Sequence, residues 1–365
     1  MGIMVTVDEL KARLRELCPA EGIDLAGAVP LPCRLPLAGK FRSWLADGRH
    51  GGLEYMLRDP ETRLQPGLNQ GGNGTLLVFA QGYTRGWPLH DTDPSATGRG
   101  DLQSPWTAGV ARYARGRDYH DILLKAIKGV LRDLRSSWPD LVAHASCDTG
   151  PYLEREYAWL AGLGFLGKNT CLIHEKLGSG LFLGVALTNL ELEDAAVFGP
   201  GGRPRAEPLY GVVPRHRRQV ETAYLSACGR CTRCIDACPT GALGPDGGLD
   251  AGACISNWTI EQRGEVPVDR VKETGGILFG CDICQAVCPW NNRAAGRDLP
   301  PVVAEYDTLS EHDQVGLADL AAIDAREFRR LFRHTPLWRC HPEGMRRNAA
   351  RVLAFRTAQG SQEGK

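Results

Sequence analysis

A chain of 365 residues and 39.7 kDa is long enough for one large domain and a smaller module. With 43% hydrophobic residues, 24% charged residues and zero formal net charge, its composition is that of an ordinary globular protein, and bulk charge announces no nucleic-acid partner. No stretch reaches the ~18–20 uninterrupted apolar residues of a membrane span. The start, Met1 to Glu9, lacks a basic segment followed by an apolar core, so the expectation is a cytoplasmic protein with no membrane association.

Val7, Leu10, Leu14 and Leu17 recur at helical spacing and predict an amphipathic helix over 7–17, with Asp8 and Glu9 at its positive end. A strand is expected over 23–29, a helical region broken by glycines over 40–58, and a loop over 65–74. The continuous apolar run 75–80 reads as a buried strand, and 90–105, rich in Asp, Gly, Pro and Ser, as a surface loop. Ile122, Leu123, Ile127, Val130, Leu131 and Leu134 predict a helix over 119–134. A strand follows near 141–147, then a helix opening at Pro151, then strand-like runs at 171–174 and 181–190. This alternation predicts an α/β or α+β domain over 1–219, whose last part, 197–219, is a linker rich in Pro, Gly and Arg. A cysteine module over 220–295 and a short helical tail over 296–365, with helices near 327–332 and 345–353, complete the expected architecture.

Thirteen cysteines are many for a cytosolic protein, and eight of them lie between Cys228 and Cys288. Cys228, Cys231, Cys234 and Cys238, followed by Pro239, form a complete C-x2-C-x2-C-x3-C-P run. Such a run gives three thiolates to one iron–sulfur cube and turns its fourth toward a neighbour. The second run, Cys281, Cys284, Cys288 and Pro289, has Leu278 where another cysteine would stand, and Cys254 is available to replace it. The count then closes at eight ligands for two [4Fe–4S] clusters. Cys228, Cys231, Cys234 and Cys288 form one set, and Cys238, Cys254, Cys281 and Cys284 the other. Zinc also accepts C-x2-C pairs, but two interleaved runs that each end in Cys-Pro argue against it. Two neighbouring clusters make an electron wire. The ~200 residues ahead of them are more than a plain carrier needs, and point to an enzyme.

The segments 228–243, 254–261 and 280–291, with Gly116-Arg-Asp-Tyr-His120, Asp148-Thr-Gly-Pro151, Gly162-Leu-Gly-Phe-Leu-Gly-Lys-Asn169, Trp338 and Arg346-Arg-Asn-Ala-Ala350, resemble the epoxyqueuosine reductase family across nearly the whole chain. The resemblance implies a cobalamin-binding domain followed by a bacterial-type two-cluster ferredoxin module. It implies a reaction in which the epoxide of epoxyqueuosine, at the wobble position of tRNA, is reduced to queuosine. It also implies kinship with corrinoid reductive dehalogenases; such a dehalogenase, or a plain electron-transfer protein, is the alternative reading. Longer family members carry HEAT-type repeats, of which this chain has room for at most one.

Reducing an epoxide takes two electrons, whereas clusters pass one at a time, and the leaving oxygen must be protonated. By resemblance the proton donor is Asp148, which follows a predicted strand; donation near neutrality would require its pKa to rise. An aspartate at such a junction also commonly caps the next helix. The resemblance further places Arg63, Asp148, Lys168, Asn169, Thr170, Leu172, Leu183, Ser256 and Asp282 against cobalamin. It calls for no histidine on cobalt, so His120 and His174 are given no role.

From Arg326 to Arg351 eight arginines stand against Glu327 and Glu343, a local balance of +6, and Arg215 to Arg218 form a second basic knot. With tRNA as substrate, Arg329, Arg330, Arg333, Arg346 and Arg347, interspersed with His334 and Trp338, read as an RNA face. An external low-potential electron donor and a monomeric state complete the expectations.

Overall fold

In the computed structural model, which describes residues 2–33, 35–66, 73–85, 109–193, 207–211, 226–266, 274–295, 297, 299 and 301–363, eight strands are found. They are β1 (Ile3–Val5), β2 (Leu25–Leu31), β3 (Gly74–Gly82), β4 (Ala143–Ser146), β5 (Phe165–Leu166), β6 (Leu172–Ile173), β7 (Leu181–Thr188) and β8 (Leu190–Leu192). The main sheet has the order β2-β3-β7-β4 with every pairing antiparallel, which resolves the expected α/β or α+β class toward α+β. β1 pairs in parallel with β8, and β5 with β6 in a small hairpin.

The apolar run on β3 is continuous because both faces of the sheet are covered. Leu77 and Phe79 point to the Val7–Leu17 and Tyr119–Leu134 helices, while Leu76, Val78 and Ala80 point to the Glu154–Leu160 helix. Thr6 and Glu9 close a capping box at the first helix, and Asp118 caps the helix that begins at Tyr119. Two expectations shift. The region 40–58 is helical only over Ala38–Ala46, with a single 3-10 turn at Glu54–Met56. The helix expected from Pro151 starts at Glu154, because residues 147–151 make a tight turn first.

The cysteine runs lie on short helices, Arg233–Asp236 and Ile283–Ala286, with Ile255–Ile260 and Pro289–Ala295 around them. Leu278 is fully buried and packs with Phe279, Phe328 and Phe332; its amide donates to the Gly109 carbonyl at 2.6 Å. A core position therefore occupies the place where a regular run would carry a cysteine. The tail forms Ser310–Asp313, Leu317–Ala322, Ala325–Phe332 and His341–Glu363, and packs onto the same core. Of the expected linker 197–219 the described part is 207–211, where Tyr210 exchanges two backbone bonds with Ala26. The loop 90–105 and the knot Arg215 to Arg218 lie outside the described residues. Among the described residues no helix is long and apolar enough to cross a membrane.

Candidate active site

Asp148 follows β4 in a left-handed backbone conformation, φ 58°, which an L-residue adopts at a cost and which Asp tolerates better than most. It does not cap the next helix, whose N-cap position is Leu153. Its Oδ2 accepts the Tyr119 hydroxyl at 3.1 Å and lies 3.5 Å from His120 Nε2, while its own amide donates to Glu154 Oε1 at 2.8 Å. On the far side of the imidazole, Nδ1 lies 2.7 Å from Asp118 Oδ1. Tyr119 stacks between His120, at 4.0 Å, and Phe182, at 4.2 Å, which fixes both rings.

Protein crowding works against the charge of Asp148, although 64% of its side-chain surface is open. His120, followed by Tyr119, outweighs that crowding and holds the carboxyl below its usual range. The rise required of a lone donor is thus not what this environment produces. Its neighbours are shifted the other way, toward holding protons. Burial disfavours charge on His120, but hydrogen bonds to Asp118 and Asp148 prevail and push it up to about 9. Glu154 is pushed up to about 8, first by burial and then by the negative Asp148. His120 and Glu154 were missed by reading the sequence. The Gly116–His120 segment marked the first, but nothing local linked Glu154 to Asp148.

These groups border a cavity of about 580 Å³ whose walls come from both parts of the chain. Leu166, Leu172, Leu181 and Leu183 supply an apolar side from the first part, and Gly247, Gly248, Leu249, Ala251 and Gln285 close it from the cysteine module. Of the residues singled out in the sequence, Arg63, Asp148, Thr170, Leu172 and Leu183 line it, whereas Lys168, Asn169, Ser256 and Asp282 stand outside its lining. Arg63 donates through Nη2 to the Tyr55 carbonyl at 2.9 Å and leaves its Nε buried without a partner. Thr170, at φ 63°, is gripped through its carbonyl by Arg155 at 2.8 Å. Lys168 reaches the other way, donating to the carbonyls of Gly229 and Cys231 at 2.9 and 3.0 Å. Asn169 is buried and braces the Cys171 amide. Ser256 sits in the first turn of the helix after Cys254. Asp282 accepts the Arg112 amide at 2.7 Å and keeps Oδ1 buried and partnerless.

The thiols of the module influence one another electrostatically, within and across the two expected sets. Cys234 is pushed up to about 11 by burial and then by Cys228, Cys288 and Cys231. Cys281 is pushed up to about 12 by burial, with Cys254 and Cys238 also near it, and Cys284 is raised by burial and then by Cys171, Cys281, Cys254 and Cys234. Burying thiols this way disfavours thiolates unless a bound cation compensates. Phe165 and Ile173 of the hairpin pack against Cys288, Cys228 and Trp290. The buried Asn291, three residues after Cys288, accepts the Ser179 amide at 2.7 Å and donates to Ser179 Oγ and the Gln285 carbonyl. Cys254 lies on a loop clamped from the first part of the chain. Trp44 Nε1 donates to the Leu249 carbonyl at 2.6 Å, Ala251 donates to the Arg49 carbonyl at 2.8 Å, and Asn257 Nδ2 donates to the Gly51 carbonyl at 2.9 Å.

The tail departs from a simple RNA face. Arg347 donates to the carbonyls of Trp258, Gln262 and Gly264 at 2.8, 2.8 and 2.6 Å, and Arg346 to that of Ile323 at 2.8 Å. Arg330 pairs with Glu327. Arg329 and Arg333 are exposed, and Trp338, 37% exposed, stacks on Phe328 at 5.4 Å. His334 presents its carbonyl to the Asp118 amide at 2.9 Å.

A cavity with its own acid–base cluster, closed on one side by a module that carries eight cysteines in two runs, marks an oxidoreductase of the iron–sulfur class. A family model described as "4Fe-4S double cluster binding domain" matches residues 227–291, and one described as "Epoxyqueuosine reductase QueG, DUF1730" matches residues 63–149. The epoxyqueuosine reductase of Xanthomonas campestris pv. campestris is 34% identical over 352 residues, covering 96% of this chain and 88% of the relative. That of Gloeobacter violaceus is 33% identical over 354 residues, covering 95% and 96%. A crystal structure of epoxyqueuosine reductase with an epoxyqueuosine-modified tRNA-Tyr stem loop superposes with a TM-score of 0.75 at 29% identity, covering 96% of this chain and 82% of that one. The Bacillus subtilis enzyme, with its catalytic aspartate loop swung out of the active site, gives 0.74 at 28% identity, covering 96% and 82%. The chain belongs to the epoxyqueuosine reductase family.

Proposed function

We propose that this chain reduces the epoxide of epoxyqueuosine, at the wobble position of a tRNA anticodon loop, to queuosine. Removing that oxygen takes two electrons and two protons and returns it as water. The supporting observation is the shared cavity. It brings the Asp148 cluster and the cysteine module to one space, an arrangement that a plain electron carrier would not need. The relatives of known name favour the tRNA substrate over an organohalide. A tRNA substrate in turn favours the cytoplasm.

In this reading Cys228, Cys231, Cys234 and Cys288 hold one [4Fe–4S] cluster, and Cys238, Cys254, Cys281 and Cys284 the other. The cavity fits cobalamin: its leucine wall suits a flat macrocycle, and the partnerless Arg63 Nε is a donor for a peripheral amide carbonyl. Arg63, Thr170, Leu172 and Leu183 would hold the cofactor directly, Lys168 and Asn169 would brace the Thr170 turn, and Ser256 and Asp282 would support it from the cluster side. Bound cobalamin supplies a strongly nucleophilic, two-electron centre.

The protein's own part is proton delivery and exclusion of water. Asp148 lines the cavity and, by our assignment, hands a proton to the leaving oxygen. His120 Nε2, at 3.5 Å, refills it, and Asp118 steadies the imidazolium that forms between turnovers. Displacing water from the cavity on tRNA binding would raise Asp148 toward a competent donor. Nucleoside mass spectrometry tests the function. Modified tRNA incubated with iron-loaded protein, cobalamin and a low-potential reductant should lose epoxyqueuosine and gain queuosine. An unchanged nucleoside profile at full iron and cobalamin occupancy would overturn it.

A further inference from the structure

Glu154 borders the same cavity, yet the reaction above gives it no task. It stands in the first turn of the Glu154–Leu160 helix, whose other residues include the buried Glu156, Tyr157, Ala158 and Trp159, so it is mounted on a fixed post. Among the described residues its Oε1 is the acceptor for the Asp148 amide, at 2.8 Å. The turn it grips is tight. Thr149 donates to the Cys147 carbonyl at 2.7 Å, and a Cβ added to Gly150 would collide with Ser146 Oγ and the Tyr152 ring. Asp148 itself holds φ 58°, a conformation that has to be imposed by its surroundings. The side chain is tied on one flank by Tyr119 and His120, and the Asp148 amide on the other by Glu154.

We propose that Glu154 is a positioning residue: its carboxyl takes the Asp148 amide hydrogen and so keeps the 147–151 turn in the seat that aims the Asp148 carboxyl into the cavity. The neutral form favoured by burial and by Asp148 serves this task, because a carboxylic acid retains an acceptor oxygen without adding a second charge beside Asp148. The inference rests on the reading of Asp148 as the proton-delivering group. It also makes a distinction that a merely structural residue would not: glutamine, with an acceptor oxygen at the same reach and no charge, should replace Glu154, and alanine should not.

The test compares Glu154→Ala, Glu154→Gln and Asp148→Asn in the full chain. Amide hydrogen exchange over residues 147–153, measured without cofactors, should quicken by roughly tenfold in Glu154→Ala and stay within about twofold in Glu154→Gln. In loaded enzyme, Glu154→Ala should lower kcat by roughly tenfold or more with KM within about threefold, and Glu154→Gln should restore it. Unchanged exchange in Glu154→Ala would overturn the proposal. So would quickened exchange with unchanged kcat while Asp148→Asn is inactive. Full turnover in Asp148→Asn would instead sink the reading of Asp148, and the exchange measurement would still decide whether Glu154 holds the turn.

Discussion

Two acidic side chains, Asp118 and Asp148, bracket one imidazole, and the consequences are measurable as functions of pH. His120 is raised from 6.5 to about 9 in the folded chain, so its protonated form stabilises the fold fully below about 6.5, and that stabilisation is lost as the pH climbs through about 9. The Tm of the metal-free chain should therefore decline across this window, and less so in His120→Gln; thermal melts at stepped pH will show it. Because His120 refills Asp148, kcat should also fall on the alkaline side in the same range, a limb that His120→Gln should lack. Asp148→Asn should retain cobalamin binding by spectral titration while kcat drops by about a hundredfold or more. Of this cluster, Asp148 was legible through its motif. Glu154 was not, since a backbone amide bonded six residues along leaves no mark in residue spacing.

At the scale of elements, the region from Ala38 to the Glu54–Met56 turn acts as an arm laid over the cysteine module. Its glycines were visible in the sequence as interruptions, but what they face was not. Gly51 sits at φ 57°, and a Cβ there would run into the backbone of Ala251 and Gly252, just ahead of Cys254. Gly51→Ala should lift the arm and displace Cys254. Iron analysis of anaerobically reconstituted protein should then fall from about eight atoms toward about four, with one cluster signal lost from the reduced spectrum. Full iron content in that variant would refute the coupling. The cysteine runs themselves were legible because their cysteines are close neighbours in sequence. The antiparallel pairing of β3 with β7 was not, because strand order depends on contacts about a hundred residues apart, outside the reach of local periodicity.

For the whole molecule, counting arginines in the tail gave its charge but not its direction. Arg347 spends its donors on three backbone carbonyls, and Arg351 is buried, its charge disfavoured to about 10 by burial and then by Arg347. Arg347→Ala should cost about 2 kcal/mol in denaturant unfolding, through lost carbonyl bonds rather than lost phosphate contacts. Arg329 and Arg333 face outward. Replacing both with alanine should leave Tm unchanged and reduce the slope of log affinity for tRNA against log salt by about 1–2. An unaltered slope would remove that face from tRNA binding. Helical periodicity located Ala325–Phe332 and the middle of His341–Glu363 but not Ser310–Asp313 or Leu317–Ala322, and which side of each turns inward is decided by the core around Phe328, Phe332 and Leu278.

That leucine has a last implication. Because position 278 belongs to the core, the proposed second set is completed by Cys254, on a loop bonded to the arm over residues 38–56. On the proposed assignment, loading of the second set is expected to wait on the contact between residues 38–56 and the loop before Cys254, so that assembly of the metal centre reports on docking of the arm.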